Sequence, residues 1–511
     1  MMNLILNLFA PIDKFLNSIT MYRLVLYGLC ILALVSLTLS LFNYLPFTPI
    51  QFTTTFVICF VSCYLSNKVF SLLFRAATNY ESFFITALIL FFVIAPINDE
   101  KDMLITAGAG VLAMGSKYIL AIWKKHFFNP VAIAVLILGL LGYGNAIWWV
   151  GSLNLLPFVI ILGALVVRKI RRFFLVIPFY VTGILTMLLF NLQYNISPLD
   201  SFIQFFTSWP SVFFATIMLT EPLTSPPTQK LRIMYAVIVG ILFGSQFSFG
   251  IIHASPELSL VIGNIFSYLV SPKQKLFLQF KEKIELAPNL YEIVFSKKGS
   301  FNYKPGQYLE WTLPHKSVDS RGNRRYFTIA SSPTEEEIKL GVKLFPNGSS
   351  FKQSLVNLKA GDQVIGSQLT GDFVMPKDPS KKLVFIAGGI GVTPFRSMIK
   401  YLADKNEKRD IVLFYTCVNE SEFAYKDIFA QGIKAFGLKV VYVLTGKEIP
   451  TTWTGEKGFL SAEMVQRNAP DFKERTFYLS GPVVMVNSYK KLLSSIGVAP
   501  TNIVTDYFPG F

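Results

Sequence analysis

Cysteine is scarce: there are four in 511 residues, and Cys30, Cys59 and Cys63 lie inside apolar runs, leaving Cys417 alone in the more polar C-terminal half. No disulfide framework and no zinc-type spacing can be drawn from them. Nor can they converge as the four thiolates an iron–sulfur cluster requires, so no such cluster and no metal site is expected. Histidine is rarer still, at three (His126, His253 and His315). A transmembrane path through two haems needs four axial ligands, so no haem is expected either. Charge is also thin: 15% of residues are Asp, Glu, Lys or Arg, against about 25% in an ordinary soluble protein. With 52% hydrophobic residues, that excludes a wholly water-soluble chain.

The apolar excess lies before Pro272, and the chain reads as a normal charged globular segment after it. Ten apolar stretches are long enough to cross a hydrocarbon core of about 30 Å, directly or as tilted or partial spans. They run 24–43, 51–74, 82–97, 103–123, 130–144, 152–167, 173–192, 204–220, 231–249 and 257–271. The basic residues divide between the connecting loops as ten spans require. Lys14, Arg23, Lys68, Arg75, Lys124, Lys125, Arg168, Lys169, Arg171, Arg172, Lys230, Arg232, Lys273 and Lys275 fall on one side, and Lys101 alone on the other. Cytoplasmic loops collect such residues, so both termini are expected in the cytoplasm. Residues 1–22 are expected to form an interfacial segment rather than a signal peptide. Cys59 and Cys63 share a helix face and read as apolar packing. Of the net charge of +16, about half sits in membrane loops, as topology signals do, which points to lipid and not to nucleic acid as a partner.

Residues 273–378 alternate short β-like runs with turns, which predicts a small antiparallel barrel. From 379 to 511, strand-like Leu383–Ala387, Ile411–Tyr415, Lys439–Leu444 and Thr476–Leu479 alternate with helical stretches, the pattern of a parallel α/β sheet. Within the barrel, Arg325-Tyr326-Phe327-Thr328 offers a guanidinium for a diphosphate, an aromatic face for a flat ring, and a hydroxyl with a backbone amide for polar ring atoms. In Gly388-Gly389-Ile390-Gly391-Val392-Thr393-Pro394, the glycines let backbone N–H groups approach a pyrophosphate at a helix start.

Together with Pro305-Gly306-Gln307-Tyr308, Gly371-Asp372-Phe373, Ser480-Gly481-Pro482 and the aromatic end Tyr507-Phe508, these residues resemble the ferredoxin-NADP reductase superfamily over essentially all of 275–511. The resemblance implies that Tyr308, Arg325, Tyr326, Phe327 and Thr328 bind FAD, with Thr328 near the flavin N5 and Ser349 and Ser350 at its phosphates. It implies that Gly388, Gly389, Gly391, Thr393, Pro394, Gly481 and Pro482 hold NADH or NADPH. Thr328, Ser480 and Tyr507 or Phe508 would then form the catalytic face. Ser480 stands where many relatives carry cysteine. Thr416-Cys417-Val418-Asn419-Glu420-Ser421-Glu422 has acidic residues and no arginine for a 2′-phosphate, so NADH is favoured.

In the membrane half, Lys125-His126-Phe127-Phe128-Asn129-Pro130 opens the fifth stretch, and a polar, proline-rich segment from Met218 to Pro227 follows the eighth. Such backbone at a membrane boundary belongs where it lines a cavity or is buried in protein. Over roughly 20–270 these segments resemble the NqrB/RnfD family of membrane subunits of respiratory ion-translocating complexes. The resemblance implies a second flavin, FMN or riboflavin, with Asn129, Pro130, Thr220, Glu221 and Thr224 as candidate contacts. No Ser/Thr-Gly-Ala-Thr attachment motif occurs, Val181-Thr182-Gly183-Ile184-Leu185 being the nearest, so that flavin is expected to be non-covalent.

The fold expected is thus a polytopic α-helical membrane domain (23–272) fused to a barrel (273–378) and an α/β nucleotide domain (379–511), in a bacterial inner membrane. The activity expected is electron transfer from cytoplasmic NAD(P)H through FAD and the membrane flavin to an extracytoplasmic flavoprotein. Two alternatives stay open: a quinone reductase without transmembrane transfer, and a flavin or ion transporter carrying a reductase module.

Overall fold

The computed structural model describes residues 11–13, 15–16, 19–74, 80–122, 125–144, 146–271, 275–297, 299–315, 318–319, 322–345 and 348–508. They divide into two compact units, Met1–Lys273 and Gln274–Phe511. Much of the expected interfacial segment 1–22 lies outside the described residues, as do Lys14, Arg75, Lys124 and Lys273 from the charge comparison.

The N-terminal unit is helical, and short polar residues start its helices. Thr20 caps Met21–Leu41, Thr48 forms a capping box with Gln51 ahead of Pro49–Leu73, Asp99 caps Glu100–Ile119, and Ser255 caps Pro256–Val270. Each cap oxygen takes up a backbone N–H that the helix cannot satisfy itself, and proline at the first position has no N–H to lose.

Helices occupy the places the sequence marked, but the ten-span count is corrected. Among the described residues three helices are long and apolar enough to cross a membrane: Met21–Leu41, Pro49–Leu73 and Phe173–Leu192. Glu100–Ile119 is long enough, yet it contains Glu100, Lys101, Asp102 and Lys117. Pro130–Leu140 has 11 residues, and at about 1.5 Å per residue covers roughly half a bilayer core. The stretch expected at 204–220 is broken at Pro210, which cannot continue a helix, into Pro198–Thr207, Ser211–Phe213 and a π-turn at Phe214–Met218.

Small residues let these helices approach closely. A Cβ on Gly240 would meet the Phe179 carbonyl at 2.8 Å, and one on Gly244 would collide with the Gly183 carbonyl, so Gln229–Gly244 lies against Phe173–Leu192 nearly backbone to backbone. Cys59 and Cys63 are buried, with the Cys63 thiol 4.0 Å from the Gly110 carbonyl, as packing residues are.

The C-terminal unit contains two six-stranded sheets. Strands β1 (Leu276–Ala287), β2 (Leu290–Ser296), β3 (Tyr308–Thr312), β4 (Arg324–Thr328), β5 (Ile338–Lys343) and β6 (Gln363–Thr370) form an antiparallel sheet in the order β4-β3-β6-β1-β2-β5. Its core is Phe295, Trp311, Leu340, Phe351 and Leu355. Strands β7 (Leu383–Gly388), β8 (Ile411–Cys417), β9 (Lys439–Leu444), β10 (Glu456–Lys457), β11 (Thr476–Pro482) and β12 (Ile503–Phe508) form a parallel sheet in the order β10-β9-β8-β7-β11-β12. Every residue of β7 and β8 is buried, which explains why both read as continuous apolar runs rather than alternating ones. The order reverses beside β7, so a crevice opens at the carboxyl ends of β7 and β11, where doubly wound sheets take their ligands.

Candidate functional site

That crevice gathers the glycine turn and the Ser480 segment. Gly389 has φ +51 and leads a single 3-10 turn, Gly389–Val392, into the helix Thr393–Lys405, with Pro394 in its first turn. A Cβ on Gly391 would collide with the Ser480 carbonyl and lie 2.7 Å from the Gly481 Cα. Only glycine lets the turn sit against the end of β11. Register places Ala387 beside Ser480, and Gly481 and Pro482 beside Tyr507 and Phe508. The backbone therefore brings the expected nucleotide residues and the two aromatics to one sheet edge, while the side chains of Tyr507 and Phe508 lie outside the described residues.

Ser480 is fully buried and its Oγ has no hydrogen-bond partner among the described residues. A buried hydroxyl left unpaired is costly, so Ser480 is an unmet polar group at the end of β11, beside the glycine turn. Met485 was not among the expected residues. Its thioether packs against Gly388 and Gly481 and lies 3.7 Å from the Thr416 hydroxyl. Thr393 donates to the Ile390 carbonyl at 3.2 Å, tightening the turn. Cys417, at the end of β8, has its thiol pushed up to about 12 by burial and is no nucleophile.

The second cluster lies on the antiparallel sheet. Alternation along β4 puts Arg325 and Phe327 on one face and Tyr326 and Thr328 on the other. Arg325 is held by the Gly322 carbonyl at 3.0 Å and the Arg324 carbonyl at 2.7 Å, and its guanidinium lies over the Phe351 ring at 5.4 Å. Phe327 packs on Phe351 at 5.8 Å. Tyr308 meets Tyr326 edge to face at 5.8 Å, and Thr328 is buried opposite Tyr308.

The two expected serines divide. Ser349 is buried and spends its hydroxyl capping the helix Ser350–Val356. Ser350 faces Arg325 through Asp319, a residue the sequence did not single out. One Asp319 oxygen lies 3.2 Å from Arg325 Nη2, the other accepts the Ser350 N–H at 3.0 Å, and His315 Nε2 lies 3.0 Å from the Ser350 hydroxyl. A carboxylate thus sits between a guanidinium and a backbone amide. Arg325 and Ser350 form an anion cradle of the kind a dinucleotide diphosphate requires, and the residues fit FAD.

In the membrane unit Asn129, Glu221 and Thr224 meet. Asn129 Nδ2 and the Thr224 hydroxyl both donate to Glu221 Oε2, at 3.1 and 3.0 Å. Asn264 and Tyr235, not anticipated, complete the cluster. Asn264 accepts the Asn129 N–H at 2.8 Å, and its amide donates to the Tyr235 hydroxyl at 3.2 Å. Pro130 is the first residue of the helix that Asn129 caps. Thr220 bonds back to its own turn, its hydroxyl donating to the Thr216 carbonyl at 2.6 Å.

Residues 385–491 match the oxidoreductase NAD-binding domain family. The C-terminal unit thus contains a nicotinamide-nucleotide-binding oxidoreductase domain. It is similar to the glycine betaine monooxygenase reductase subunit of Chromohalobacter salexigens, 29% identical over 202 residues that cover 39% of this chain and 54% of that one. It is also similar to flavohemoprotein A of Dictyostelium discoideum, 24% identical over 44% of this chain and 58% of that one. The chain spans about half the length of these curated relatives. Among solved structures, an Amycolatopsis cytochrome P450 reductase covers 46% of this chain and 70% of its own, with a TM-score of 0.42 and 23% identity.

Proposed function

We propose that the chain is a single-chain membrane flavin oxidoreductase that takes electrons from cytoplasmic NAD(P)H and passes them through its helical unit to an acceptor beyond the membrane. The observation that carries this reading is the pairing, in one module, of an anion cradle at Arg325 and Ser350 with a glycine crevice at Gly388–Thr393, on a chain that also has three membrane-grade helices. FAD held by Arg325 and Ser350 would supply an acceptor for the hydride of NAD(P)H and, with release of its proton, a donor of single electrons.

The chain's own residues do the rest. Arg325 and Ser350 neutralise and orient the diphosphate, and Phe327, backed by the buried Phe351, gives the flavin ring an apolar wall. The backbone of Gly389–Val392 holds the nicotinamide nucleotide, with the buried Ser480 hydroxyl behind the turn. Backbone register sets Tyr507 and Phe508 beside Gly481 and Pro482, and we assign them to the face of the ring. Beyond β8 the exposed Glu420 leaves negative charge, Glu422 being paired with Lys343 at 2.6 Å, which favours NADH over a nucleotide with a 2′-phosphate.

A hydrocarbon core of about 30 Å is too thick for one productive electron hop, so the path needs a relay. We assign it to a second, non-covalent flavin beside Asn129, Glu221 and Thr224. An inside-negative potential would assist outward electrons by about 2.3 kcal/mol per charge per 100 mV. The acceptor we favour is an extracytoplasmic flavoprotein.

The test is flavin content per chain before and after acid precipitation, followed by NADH addition to inside-out vesicles holding an impermeant acceptor. Two acid-released flavins and reduction of the trapped acceptor are expected. One flavin, with reduction of quinone alone, would move the path to the inner face. Labelled riboflavin flux without NADH would make the helical unit a transporter.

A further inference from the structure

The two halves of the reductase site stand on different sheets, so something inside the C-terminal unit must fix their separation. A seam of buried charge does so. Arg396, in the helix that opens at Thr393, is 3% exposed and makes two hydrogen bonds to the Glu335 carboxylate, one through Nη2 at 2.9 Å and a closer one through Nη1. Its Nη1 also donates to the Ala330 carbonyl at 3.2 Å, just beyond Thr328 at the end of β4. Glu292 lies 4.0 Å from Arg396 Nε, and Lys339 lies 3.1 Å from Glu335 and 3.8 Å from Glu292. The Tyr425 ring sits 5.7 Å from the Arg396 guanidinium. Next to Arg396, the Ser397 hydroxyl donates to the Ser331 carbonyl at 2.6 Å, and Tyr303 donates to the same oxygen at 3.0 Å. Gly341 of β5 completes the seam, because a Cβ there would come within 2.6 Å of Thr393 and 2.9 Å of Tyr425.

Two cations and two carboxylates out of water are a costly way to glue sheets together, since apolar residues of the same volume often hold as well or better. What a bidentate guanidinium adds is fixed geometry. Burial alone would raise the Glu335 carboxyl, but the hydrogen bonds and charge of Arg396 hold it at about 2, so the clamp stays ionised at every physiological pH.

We propose that Arg396 is a positioning residue for hydride transfer: through Glu335 and Ala330 it ties the flavin strand to the nucleotide turn and sets how closely nicotinamide approaches the flavin. The inference rests on the function proposed above and touches neither cofactor directly. Misplacement of reacting groups by about 1 Å costs on the order of 100-fold in rate.

The test uses the full chain in lipid nanodiscs, loaded with FAD, as Arg396→Met, Glu335→Gln and Arg396→Lys. Three quantities are measured: FAD affinity by fluorescence titration, the long-wavelength charge-transfer absorbance with the non-reducing analogue tetrahydro-NAD, and stopped-flow flavin reduction at saturating NADH. Expected are a roughly 10–100-fold slower reduction in Arg396→Met and Glu335→Gln, a weakened charge-transfer band, FAD affinity close to that of the unaltered protein, and partial recovery in Arg396→Lys. If Arg396→Met does not fold, Glu335→Gln decides alone. Unchanged reduction rates, or a rate loss fully matched by lost FAD, would overturn the positioning role. No flavin reduction in the unaltered protein would remove the parent reading and this inference with it.

Discussion

Replacing Asp319 with alanine should tighten FAD binding. In the structure its carboxylate lies 3.2 Å from Arg325 and accepts the Ser350 N–H at 3.0 Å, so it stands in for a phosphate group. A dinucleotide diphosphate claims the same two donors and has to displace it first. Hydrogen bonds to a charged group contribute about 1.5–3 kcal/mol each. Because Arg325 also holds the Gly322 and Arg324 carbonyls, it stays oriented when Asp319 is removed. Losing even one competing contact should lower the Kd for FAD roughly tenfold, at about 1.4 kcal/mol per decade. The assay is quenching of FAD fluorescence by the flavin-stripped full chain, with Arg325→Ala as a control that must bind more weakly. An Asp319→Ala protein that binds FAD no better than the unaltered one would refute the idea that the carboxylate competes for the cradle.

Three other outcomes are expected. The Glu335 carboxyl, lowered from 4.5 to about 2, contributes on the order of 3 kcal/mol to folding that is present above about pH 4.5 and is lost as pH falls toward 2. Glu335→Gln should therefore flatten the acid limb of the urea midpoint, and identical limbs would contradict it. Gly391→Ala drives a methyl group into the Ser480 carbonyl, so NADH reduction of the flavin should fall at least roughly 100-fold while FAD remains bound, as retained flavin absorbance will show. Gly244→Leu forces apart the helices Phe173–Leu192 and Gln229–Gly244 at a cost of about 1–3 kcal/mol. It should lower the melting temperature of the detergent-solubilised chain without changing NADH affinity.

Much of the reductase module was legible because its signals are local. The run Leu383–Gly388 is apolar throughout, and the glycines and Thr393-Pro394 after it spell a turn and a helix start. The expected strands fall where the structure has them, ending one to three residues short for β7, β8 and β11. The strand Ile503–Phe508 was missed, since its pairing with β11 is set across the sheet and not by its neighbours in sequence. Asp319, Arg396, Tyr235 and Asn264 were missed for the same reason: each acquires its meaning from a partner far along the chain. Apolar runs reported helices well and spans poorly. Composition cannot tell an 11-residue helix such as Pro130–Leu140 from part of a longer one, nor foresee the break at Pro210.

The reversal of strand order beside β7 bears on how the protein is made. The flavin cradle needs nothing beyond Thr370, where β6, the strand that joins β3 and β4 to β1, ends. The crevice stays open on one flank until Thr476–Pro482 arrives to lie against β7, and the last strand, Ile503–Phe508, follows only after that. During synthesis the growing chain can therefore capture flavin well before it can accept a reductant. By then the described apolar helices, from Met21 to Val270, have already been synthesised.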